Sequence, residues 1–581
     1  RALGTAARGD ERRRRPPPPP ELAGLLTVQS PAQWYPLARE RPRRVIAHFG
    51  PTNSGKTHSA LQALKEARSG LYCSPLRMLA CEVADRLNKE GLPCNLLTGQ
   101  ERKDVPDADH TSCTVEMANT SKRVDVAILD EIQLMGDHSR GYAFTFALLG
   151  IPADELHVCG DEAALHLVEK ICEEAGDTLE VRRYERLSPL RVRRKALGDL
   201  ANVKQGDAVI AFSRKDLFAI KRYIEAHSRE RCCVVYGGLP PATRTQQAEM
   251  FNARSNGFDV LVASDAVGMG LNLNIRRIIF ATMEKFDGMS FGPLAAPQVK
   301  QIAGRAGRFG TEYDTTGEAT TLEPEDMEEL EWALESPTIM LEQAGLWVPF
   351  ELLSMHVAAD PAGGLARAVE NFSSCATIPK HYSMRESSSM LDVIKLLSPL
   401  ELDVANLYLF SLAPVNLDSH AAASTLFAFA AAHKLGRRVS VRSVHAPPLE
   451  MPETIEQLKA LELTHELYDL YIWLAQRQPD EFPEHEQALE KRQLCANAIE
   501  AGLLKLSRPF TGRLKARQQA VRAKIARARK ELRGHRHAEE ERLSAESATS
   551  AGDADDEAER RQADFHALAF RRKNNRSQRR R

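Results

Sequence analysis

The chain has 581 residues, of which 43% are hydrophobic and 27% are charged, and these values indicate a soluble protein of about three or four domains. The formal net charge of −1 says little about partners, because arginines 12–15 precede a proline run and the carboxyl end is also basic. The ten cysteines include no C-x-x-C pair, which argues against a zinc site or a disulfide framework. No apolar run approaches the roughly 20 residues that cross a bilayer, so no membrane insertion is expected.

The first 43 residues are rich in proline and arginine and are predicted to be mostly disordered. Trp34 and Tyr35 are expected to dock this extension on the first domain. The arginine-rich start is only weakly typical of a transit peptide, and a chain that begins at Arg1 could lack its import signal.

A phosphate-binding loop is predicted where GPTNSGKT matches the pattern G-x-x-x-x-G-K-[ST]. An apolar strand pattern precedes it at residues 44–49, and a helical pattern follows at 57–67, as such a loop requires. The pattern assigns Lys56 to the β and γ phosphate oxygens and Thr57 to Mg²⁺, while loop amides cradle the phosphates. The nucleotide-binding residues predicted here are Gly50, Pro51, Thr52, Asn53, Ser54, Gly55, Lys56 and Thr57.

Two adjacent carboxylates follow a buried-strand pattern in VDVAILDEIQ, residues 124–133. Ligands of open α/β sheets lie at the carboxyl ends of the strands. We expect Asp130 to lie on the metal side, acting through Mg²⁺-bound water, and Glu131 to orient or deprotonate the attacking water. An acidic turn alone is a weak signal, and its position after the phosphate-binding loop makes it specific.

The run QIAGRAGR, residues 301–308, carries two arginines three residues apart, which share one face if the segment is helical. An arginine from another domain can stabilise the charge on a transferring γ-phosphoryl group by roughly 10³ to 10⁵ in rate. Arg305 and Arg308 are predicted to take this role, and Gln301 to hydrogen-bond the γ-phosphate or the attacking water. A solvated basic helix is the alternative, and the two glycines in the run disfavour it.

Short apolar runs alternate with helical patterns in two successive series, which predicts an α/β fold with two tandem parallel-sheet domains. The lysine and acids lie in the first series and the arginines in the second, so one nucleotide is expected between the two sheets. An α-helical C-terminal domain and a basic, disordered tail are predicted to follow. The predicted boundaries are 1–43 for the extension, 44–187 and 188–335 for the sheet domains, 336–505 for the helical domain and 506–581 for the tail.

Further motifs stand in the order found in superfamily-two helicases. They are SPLRMLA (74–80), TGQE (98–101), CTVEMA (113–118), CGDEAA (159–164), AFSR (211–214), YGGLPP (236–241) and VASDAVGMGLNL (262–273). With GPTNSGKT, DEIQ and QIAGRAGRFG, they resemble the Suv-three family, the mitochondrial degradosome RNA helicases. The resemblance covers about residues 33–505, because WYPLARE, AGLWVPFELL, LAPVN and HELYDLYIWLAQR also match that family. It implies that the two sheet domains are RecA-like.

The resemblance further implies an ATP-dependent RNA helicase that uses ATP and Mg²⁺ and moves 3′ to 5′ from single-stranded 3′ tails into duplexes. It implies a 3′ exoribonuclease partner and the mitochondrial matrix, and it leaves DNA unwinding open. By the same resemblance, Asp265 and Gly270 join the nucleotide-binding residues. The residues that it places at the nucleic-acid backbone are Arg77, Thr98, Gly99, Thr114, Ser213 and Ser264. Such phosphate contacts are expected to tolerate any base sequence and to weaken with salt.

No upstream glutamine motif of the DEAD-box kind is present, so the base contact is unassigned and other nucleotides stay candidates. Related helicases carry a strand-separating hairpin where this chain has residues 284–297, which predicts a wedge there. Beyond residue 335 the apolar spacing predicts helices, with Tyr468, Tyr471 and Trp473 in the core rather than stacked on bases. The basic stretch 513–536 is expected to grip RNA, to form a solvated helix or to hold a partner.

Two other functions use the same motifs: a nucleotide-gated scaffold that binds RNA without unwinding it, and a DNA helicase with the same motor. The scaffold is disfavoured because the lysine, both acids and both arginines are all present, and a scaffold could lose any one of them.

Overall fold

The computed structural model describes residues 20–505 except 254–255, 269, 271, 287–290, 309, 311–312, 314–315 and 445. The predicted basic stretch 513–536 and the rest of the tail lie outside these residues. Within them, two parallel sheets are followed by a helical region, which confirms the predicted fold class for this part of the chain. The two sheets with their flanking helices are called the first and second lobes below.

The first lobe is built on an eight-stranded sheet in the order β4-β3-β5-β2-β6-β7-β1-β8. Its strands are β1 Arg44–Phe49, β2 Gly70–Ser74, β3 Cys94–Leu97, β4 Arg102–Lys103, β5 His110–Thr114, β6 Val124–Leu129, β7 Ala153–Gly160 and β8 Thr178–Arg183. Neighbours run parallel except β3 and β4, which are antiparallel. Both faces are covered: Leu71 and Cys73 of β2 enter one hydrophobic core and Tyr72 enters the other.

Helices of the amino-terminal segment and the first lobe are α1 Pro20–Ala23, α2 Pro36–Arg39, α3 Lys56–Glu66, α4 Arg77–Lys89, α5 Gly141–Gly150 and α6 Leu165–Ala175. The expectation of disorder is wrong for residues 20–43, where Leu22 and Leu26 are buried. Leu26 packs in the core formed by the helical region, and this burial offsets the entropy cost of ordering the segment. Trp34 and Tyr35 pack against the core of the first lobe, as expected.

The second lobe is built on a six-stranded parallel sheet in the order β11-β12-β10-β13-β16-β9. Its strands and the hairpin beside it are β9 Leu190–Val192, β10 Asp207–Ile210, β11 Arg231–Val235, β12 Phe258–Ala263, β13 Arg277–Phe280, β14 Glu284–Phe286, β15 Phe291–Pro293 and β16 Gly317–Thr321. Its helices are α7 Arg214–His227, α8 Pro241–Asn252, α9 Ala296–Ala303 and α10 Met327–Glu335. The antiparallel pair β14 and β15 lies where the wedge is predicted, and residues 287–290 between them are outside the described residues.

Helices dominate the region after residue 335. They are α11 Phe350–Ala359, α12 Gly364–Cys375, α13 Ser388–Leu397, α14 Val404–Ser411, α15 His420–Lys434, α16 Ile455–Ala475 and α17 His485–Lys505. A two-stranded parallel sheet of β17 Ala344–Leu346 and β18 Tyr382–Met384 joins them. Thr454 and Gln457 form a capping box that fixes the start of α16.

The ten cysteines are all unpaired thiols, and most are buried. Over the residues that the structure describes, no group of three or more His, Cys, Asp or Glu side chains is arranged to hold a metal ion. None of the described helices is both long and apolar enough to span a bilayer.

Candidate functional site: a nucleotide cleft between the lobes

The phosphate-binding loop lies between β1 and α3, at the carboxyl end of a buried strand. Asn53 and Gly55 adopt left-handed backbone conformations, with φ of 63° and 82°, and α3 begins at Lys56. Lys56 Nζ donates hydrogen bonds of 3.0 Å to the carbonyl oxygens of Gly50 and Pro51. The ammonium group is therefore folded over the hollow of its own loop, where phosphate oxygens would replace the two carbonyl acceptors.

Asp130 follows β6 and is only 5% exposed. Thr57 Oγ1 donates a hydrogen bond of 3.1 Å to Asp130 Oδ1, and the Tyr72 hydroxyl donates one of 2.9 Å to Oδ2. Burial and, after it, the charge of Glu131 raise the pKa of Asp130 to about 6, although the hydrogen bond from Tyr72 and the charge of Lys56 act in the opposite direction. The structure thus brings Thr57 and Asp130 together as an oxygen pair of the kind that Mg²⁺ prefers.

Glu131 has a left-handed backbone with φ of 57°, which is uncommon for a residue other than glycine. Gln133 Nε2 donates a hydrogen bond of 2.5 Å to Glu131 Oε2, and Gln133 Oε1 accepts one of 3.0 Å from the Asp161 amide. Gln133 therefore holds the carboxylate of Glu131 from a fixed position. Gln133 and Tyr72 were not among the predicted site residues. Gln133 lies within the DEIQ motif, whereas Tyr72 belongs to an ordinary apolar strand that gives no such signal.

Arg305 extends from the loop that follows α9 in the second lobe. Its Nε and Nη2 atoms donate hydrogen bonds of 2.9 and 2.5 Å to the carbonyl oxygen of Gly268. Burial lowers the pKa of the Arg305 guanidinium, and the nearby carboxylates of Glu131 and Asp130 act in the opposite direction. An arginine of the second lobe therefore lies within electrostatic range of both acids of the first lobe.

Arg308 has different surroundings from Arg305. Burial again lowers the pKa of its guanidinium, but the carboxylate that opposes this is Glu82, and Arg86 reinforces the decrease. Both neighbours belong to α4 of the first lobe. The two arginines predicted to share one role are thus placed differently, and Arg305 is the one whose pKa responds to both acids.

The loops that carry these groups touch directly across the cleft. Asn53 Nδ2 donates a hydrogen bond of 2.9 Å to the carbonyl oxygen of Gly307. A Cβ atom at Gly304 would lie 3.0 Å from Cβ of Thr52, so a larger residue would press on the phosphate-binding loop. Glycine at this position therefore permits the close approach of the two backbones.

Gln301 and the residues of the VASDAVGMG motif lie around the acceptor of Arg305. A Cβ atom at Gly268 would be 3.6 Å from Gln301 Oε1, so these two residues are neighbours. Asp265 forms an ion pair of 2.5 Å with Lys285 inside the second lobe. Gly270 has a φ of 75°, a conformation that favours glycine. The structure brings Gln301 to the cleft and directs the Asp265 carboxylate towards the hairpin strand β14.

The hydroxyl groups predicted to contact nucleic acid lie at the carboxyl edges of the two sheets. Thr98 Oγ1 accepts a hydrogen bond of 2.9 Å from the amide three residues later, and Thr114, at the end of β5, is buried. Ser213 caps α7 through a 3.2 Å bond from the amide three residues later. Ser264 Oγ accepts a 3.1 Å bond from the amide two residues later. The hydroxyls of Thr98, Ser213 and Ser264 therefore stabilise the turns that follow their strands.

Helix α16 contacts both lobes through charged side chains. Arg77, at the start of α4 in the first lobe, lies 3.5 Å from Asp469. Arg214, at the start of α7 in the second lobe, forms an ion pair of 2.6 Å with Glu462. Because Glu462 and Asp469 are seven residues apart, they lie on one face of the helix, which is turned towards the two sheets.

The aromatic residues of α16 are buried as expected. Tyr468 and Tyr471 are almost completely buried, and 7% of the Trp473 surface is exposed. Trp473 is nevertheless also at the boundary with the first lobe, where a Cβ atom at Gly99 would lie 3.6 Å from its ring. The Arg477 guanidinium lies 3.9 Å from the Trp473 ring centroid and donates a 3.5 Å hydrogen bond to the Gly99 carbonyl. Gly99 is therefore covered by the helical region.

Three family models match the chain. They are the DEXQ-box helicase domain of Suv3 over residues 31–184, the helicase conserved C-terminal domain over 192–310 and the ATP-dependent RNA helicase SUV3 C-terminal domain over 458–505.

Similar proteins carry related names. A protein of Arabidopsis thaliana named DExH-box ATP-dependent RNA helicase DExH16, mitochondrial, is 47% identical over 81% of this chain and 82% of its own length. ATP-dependent RNA helicase SUV3, mitochondrial, of Oryza sativa subsp. japonica is 45% identical over 82% of each chain. ATP-dependent RNA helicase SUPV3L1, mitochondrial, of Mus musculus is 38% identical over 80% of this chain and 61% of its own.

Replacement of the predicted base tests its role separately from nucleotide binding. Glu131→Gln should leave ATP binding nearly unchanged and lower turnover by at least about 10²-fold, because the amide cannot accept the proton of the attacking water. Lys56→Ala should instead lose productive binding. Binding of a fluorescent ATP analogue and release of phosphate measure the two effects. Glu173→Gln, an exposed change on α6, is the control, and wild-type hydrolysis by Glu131→Gln would refute the assignment.

The different surroundings of the two arginines predict different defects. Arg305→Ala should lower kcat by about 10³-fold or more with a smaller change in KM, because its contact strengthens in the transition state. Arg308→Ala should also lower kcat more than it raises KM, but by less, since Arg308 faces α4. Steady-state ATPase kinetics distinguish these results, with Arg193→Ala, a partly exposed arginine of the second lobe, as control. A defect in KM alone would exclude the role proposed for Arg305.

Proposed function

Because the chain belongs to the Suv3 family of ATP-dependent RNA helicases, we propose that it moves 3′ to 5′ along RNA and unwinds structured or double-stranded RNA in mitochondria. We further propose that the unwound strand passes to a 3′ exoribonuclease for RNA turnover. The observation that carries this proposal is that Arg305 of the second lobe lies within electrostatic range of Asp130 and Glu131 of the first, where Asn53 of the phosphate-binding loop is hydrogen-bonded to the Gly307 carbonyl. A site divided between two lobes can couple hydrolysis to their relative motion.

In the proposed reaction, Lys56 leaves its two carbonyl acceptors and binds the β and γ phosphate oxygens of ATP. Thr57 and Asp130 would hold Mg²⁺, which when bound neutralises charge on the phosphate oxygens. Glu131, held by Gln133, accepts the proton of the attacking water. The residues on the chain thus divide the work between phosphate binding, metal binding and activation of water.

Arg305 would add a positive charge from the second lobe to that of Lys56 at the γ-phosphate. Its guanidinium lies within electrostatic range of the two acids, and closure of the lobes on ATP would bring it to the developing charge. Gln301, a neighbour of Gly268, would hydrogen-bond the γ-phosphate or the attacking water. Hydrolysis then removes the group that both lobes hold, which allows them to separate.

The proposed RNA path follows the carboxyl edges of the two sheets under α16. Arg77 and Arg214 stand at the starts of helices there, one in each lobe, and the turn residues Thr98 and Ser264 lie near the same edges. Contacts of this kind to phosphates and sugars read no base sequence. RNA is the proposed substrate because the family models and the similar proteins carry the name RNA helicase.

Placement in the mitochondrion is supported by the names of the similar proteins from two plants and a mouse, each of which includes the word mitochondrial. The exoribonuclease partner and the direction of movement are supported by the motif resemblance. The predicted domain boundaries, at 44–187, 188–335 and 336–505, agree with the division into two sheets and a helical region and are proposed on that basis.

Displacement of labelled duplexes tests the direction and the substrate. With ATP and Mg²⁺, an RNA duplex that has a 3′ single-stranded tail should be unwound, and the same duplex with a 5′ tail should not. Glu131→Gln serves as the inactive control. Equal unwinding from either tail would contradict the 3′ to 5′ direction, and RNA-stimulated hydrolysis without any displacement would favour a nucleotide-gated scaffold. Displacement confined to DNA duplexes would favour a DNA helicase.

Arg77 offers a test of the proposed RNA path. Arg77→Ala should weaken binding of single-stranded RNA of any sequence. In a plot of the logarithm of the RNA-binding constant against the logarithm of the salt concentration, the slope should become shallower by about 0.7, the value for one lost phosphate contact. Asp469 keeps Arg492 as a partner at 3.0 Å, so the variant should fold normally. Arg68→Ala is the matched control, because Arg68 precedes β2 and is 93% exposed, whereas Arg77 follows that strand. If both variants showed the same salt dependence of RNA binding, the proposed path past Arg77 would be wrong.

A further inference from the structure

Arg186 lies in the segment that connects the two sheets, between the end of β8 at Arg183 and the start of β9 at Leu190. This connecting segment runs along the phosphate-binding loop. The Leu187 amide, next to Arg186, donates a hydrogen bond of 2.9 Å to the carbonyl oxygen of Asn53. A residue of the connection therefore reaches both the first lobe and the loop that carries Arg305.

The guanidinium of Arg186 binds three parts of the chain at once. Its Nη1 atom donates hydrogen bonds of 3.0 Å to the Thr52 carbonyl and 2.7 Å to the Gly304 carbonyl. Its Nη2 atom donates to the carbonyl of Ala306, and its Nε atom donates a 2.6 Å bond to the Ser188 carbonyl. The phosphate-binding loop, the loop that carries Arg305 and the connecting segment thus share one side chain.

These acceptors are all backbone carbonyls. Burial lowers the pKa of Arg186 to about 10, so the side chain stays charged at neutral pH, held by the carbonyl dipoles. Taking a cation out of water is costly unless its donors are satisfied, and the four carbonyls accept hydrogen bonds from four of the five N–H groups of this half-buried guanidinium. Lysine carries one nitrogen at the end of a flexible chain and cannot reproduce this pattern.

We propose that Arg186 is a positioning residue that sets the distance between the phosphate-binding loop and Arg305. Gly304 and Ala306 flank Arg305 in sequence, so bonds to both of their carbonyls fix the backbone from which the Arg305 side chain projects. The bond to Thr52 ties that backbone to the loop that holds the phosphates. This inference rests on the role proposed above for Arg305 in stabilising the charge on the γ-phosphate.

The alternative role for these bonds is a brake. If Arg186 mainly held the lobes shut, its removal would speed their separation and raise turnover. A positioning role predicts the reverse, because a misplacement of about 1 Å at a reacting group costs up to about 10²-fold in rate. The sign of the change in kcat therefore separates the two roles.

ATPase kinetics of the full chain with single-stranded RNA test the proposal. Arg186→Ala should lower kcat by about 10²-fold while KM for ATP changes by less than about threefold, since Lys56 and the loop amides are intact. Arg186→Lys should not restore kcat, and millimolar guanidinium ion should partly restore it in Arg186→Ala alone. Arg183→Ala is the matched control, because its side chain is 67% exposed and its ion pair with Glu162 lies outside the junction.

Unchanged or increased kcat in Arg186→Ala would overturn the proposal. A loss of kcat that guanidinium cannot restore, together with a lowered melting temperature, would also overturn it and assign Arg186 a purely structural role. Arg305→Ala, measured under the same conditions, tests the role of Arg305 separately from that of Arg186. A defect in Arg305→Ala with normal Arg186→Ala leaves the proposed function standing, whereas normal turnover in Arg305→Ala would remove the basis of both.

Discussion

The cleft depends on opposite charges, each of them buried, that lie within electrostatic range of each other across the two lobes. Burial raises the pKa of Asp130 and lowers that of Arg305, so each group alone is unfavourable in its charged form. Each is also the kind of neighbour that stabilises the charge of the other. The ionised state of the site is therefore a property of the closed arrangement, and opening would expose each charge to water. The free energy of lobe closure is therefore sensitive to every charged group that binds in the cleft, including the phosphates of the nucleotide.

Close approach of backbones makes this charge balance possible. The close approach of Gly304 to Thr52 and the hydrogen bond from the Asn53 side chain to the Gly307 carbonyl bring the two loops together. A methyl group at Gly304 would meet both Thr52 and the Lys300 carbonyl, so it would push the arginine loop away from the phosphates. The glycine spacing in QIAGRAGR is thus a packing requirement of the junction as well as part of a recognisable motif.

Local patterns in the sequence predict the parts of this site that lie within single segments. The strand patterns before Gly50 and Asp130 correspond to β1 and β6, and the periodic segment with Tyr471 forms a buried helix. Contacts between distant segments could be predicted only where a motif marks both partners. Arg186 sits in a polar connection with no periodicity, and Tyr72 looks like any residue of an apolar strand, yet each binds a group that is remote in sequence. The order in residues 20–43 was missed for the same reason, since a proline-rich segment gains structure only from the surface that covers it.

Helix α16 adds a third body to the two lobes. Glu462 pairs with Arg214 of the second lobe, and Asp469 lies near Arg77 of the first, so one helix spans the boundary that must move during hydrolysis. RNA phosphates on the proposed path would compete with these carboxylates for the same arginines. The electrostatic free energy gained when RNA binds would then be the difference between an arginine–phosphate pair and an arginine–carboxylate pair, and not the full value of the arginine–phosphate pair. A grip of that moderate strength suits a motor, because each step along the strand requires the contacts behind it to be released.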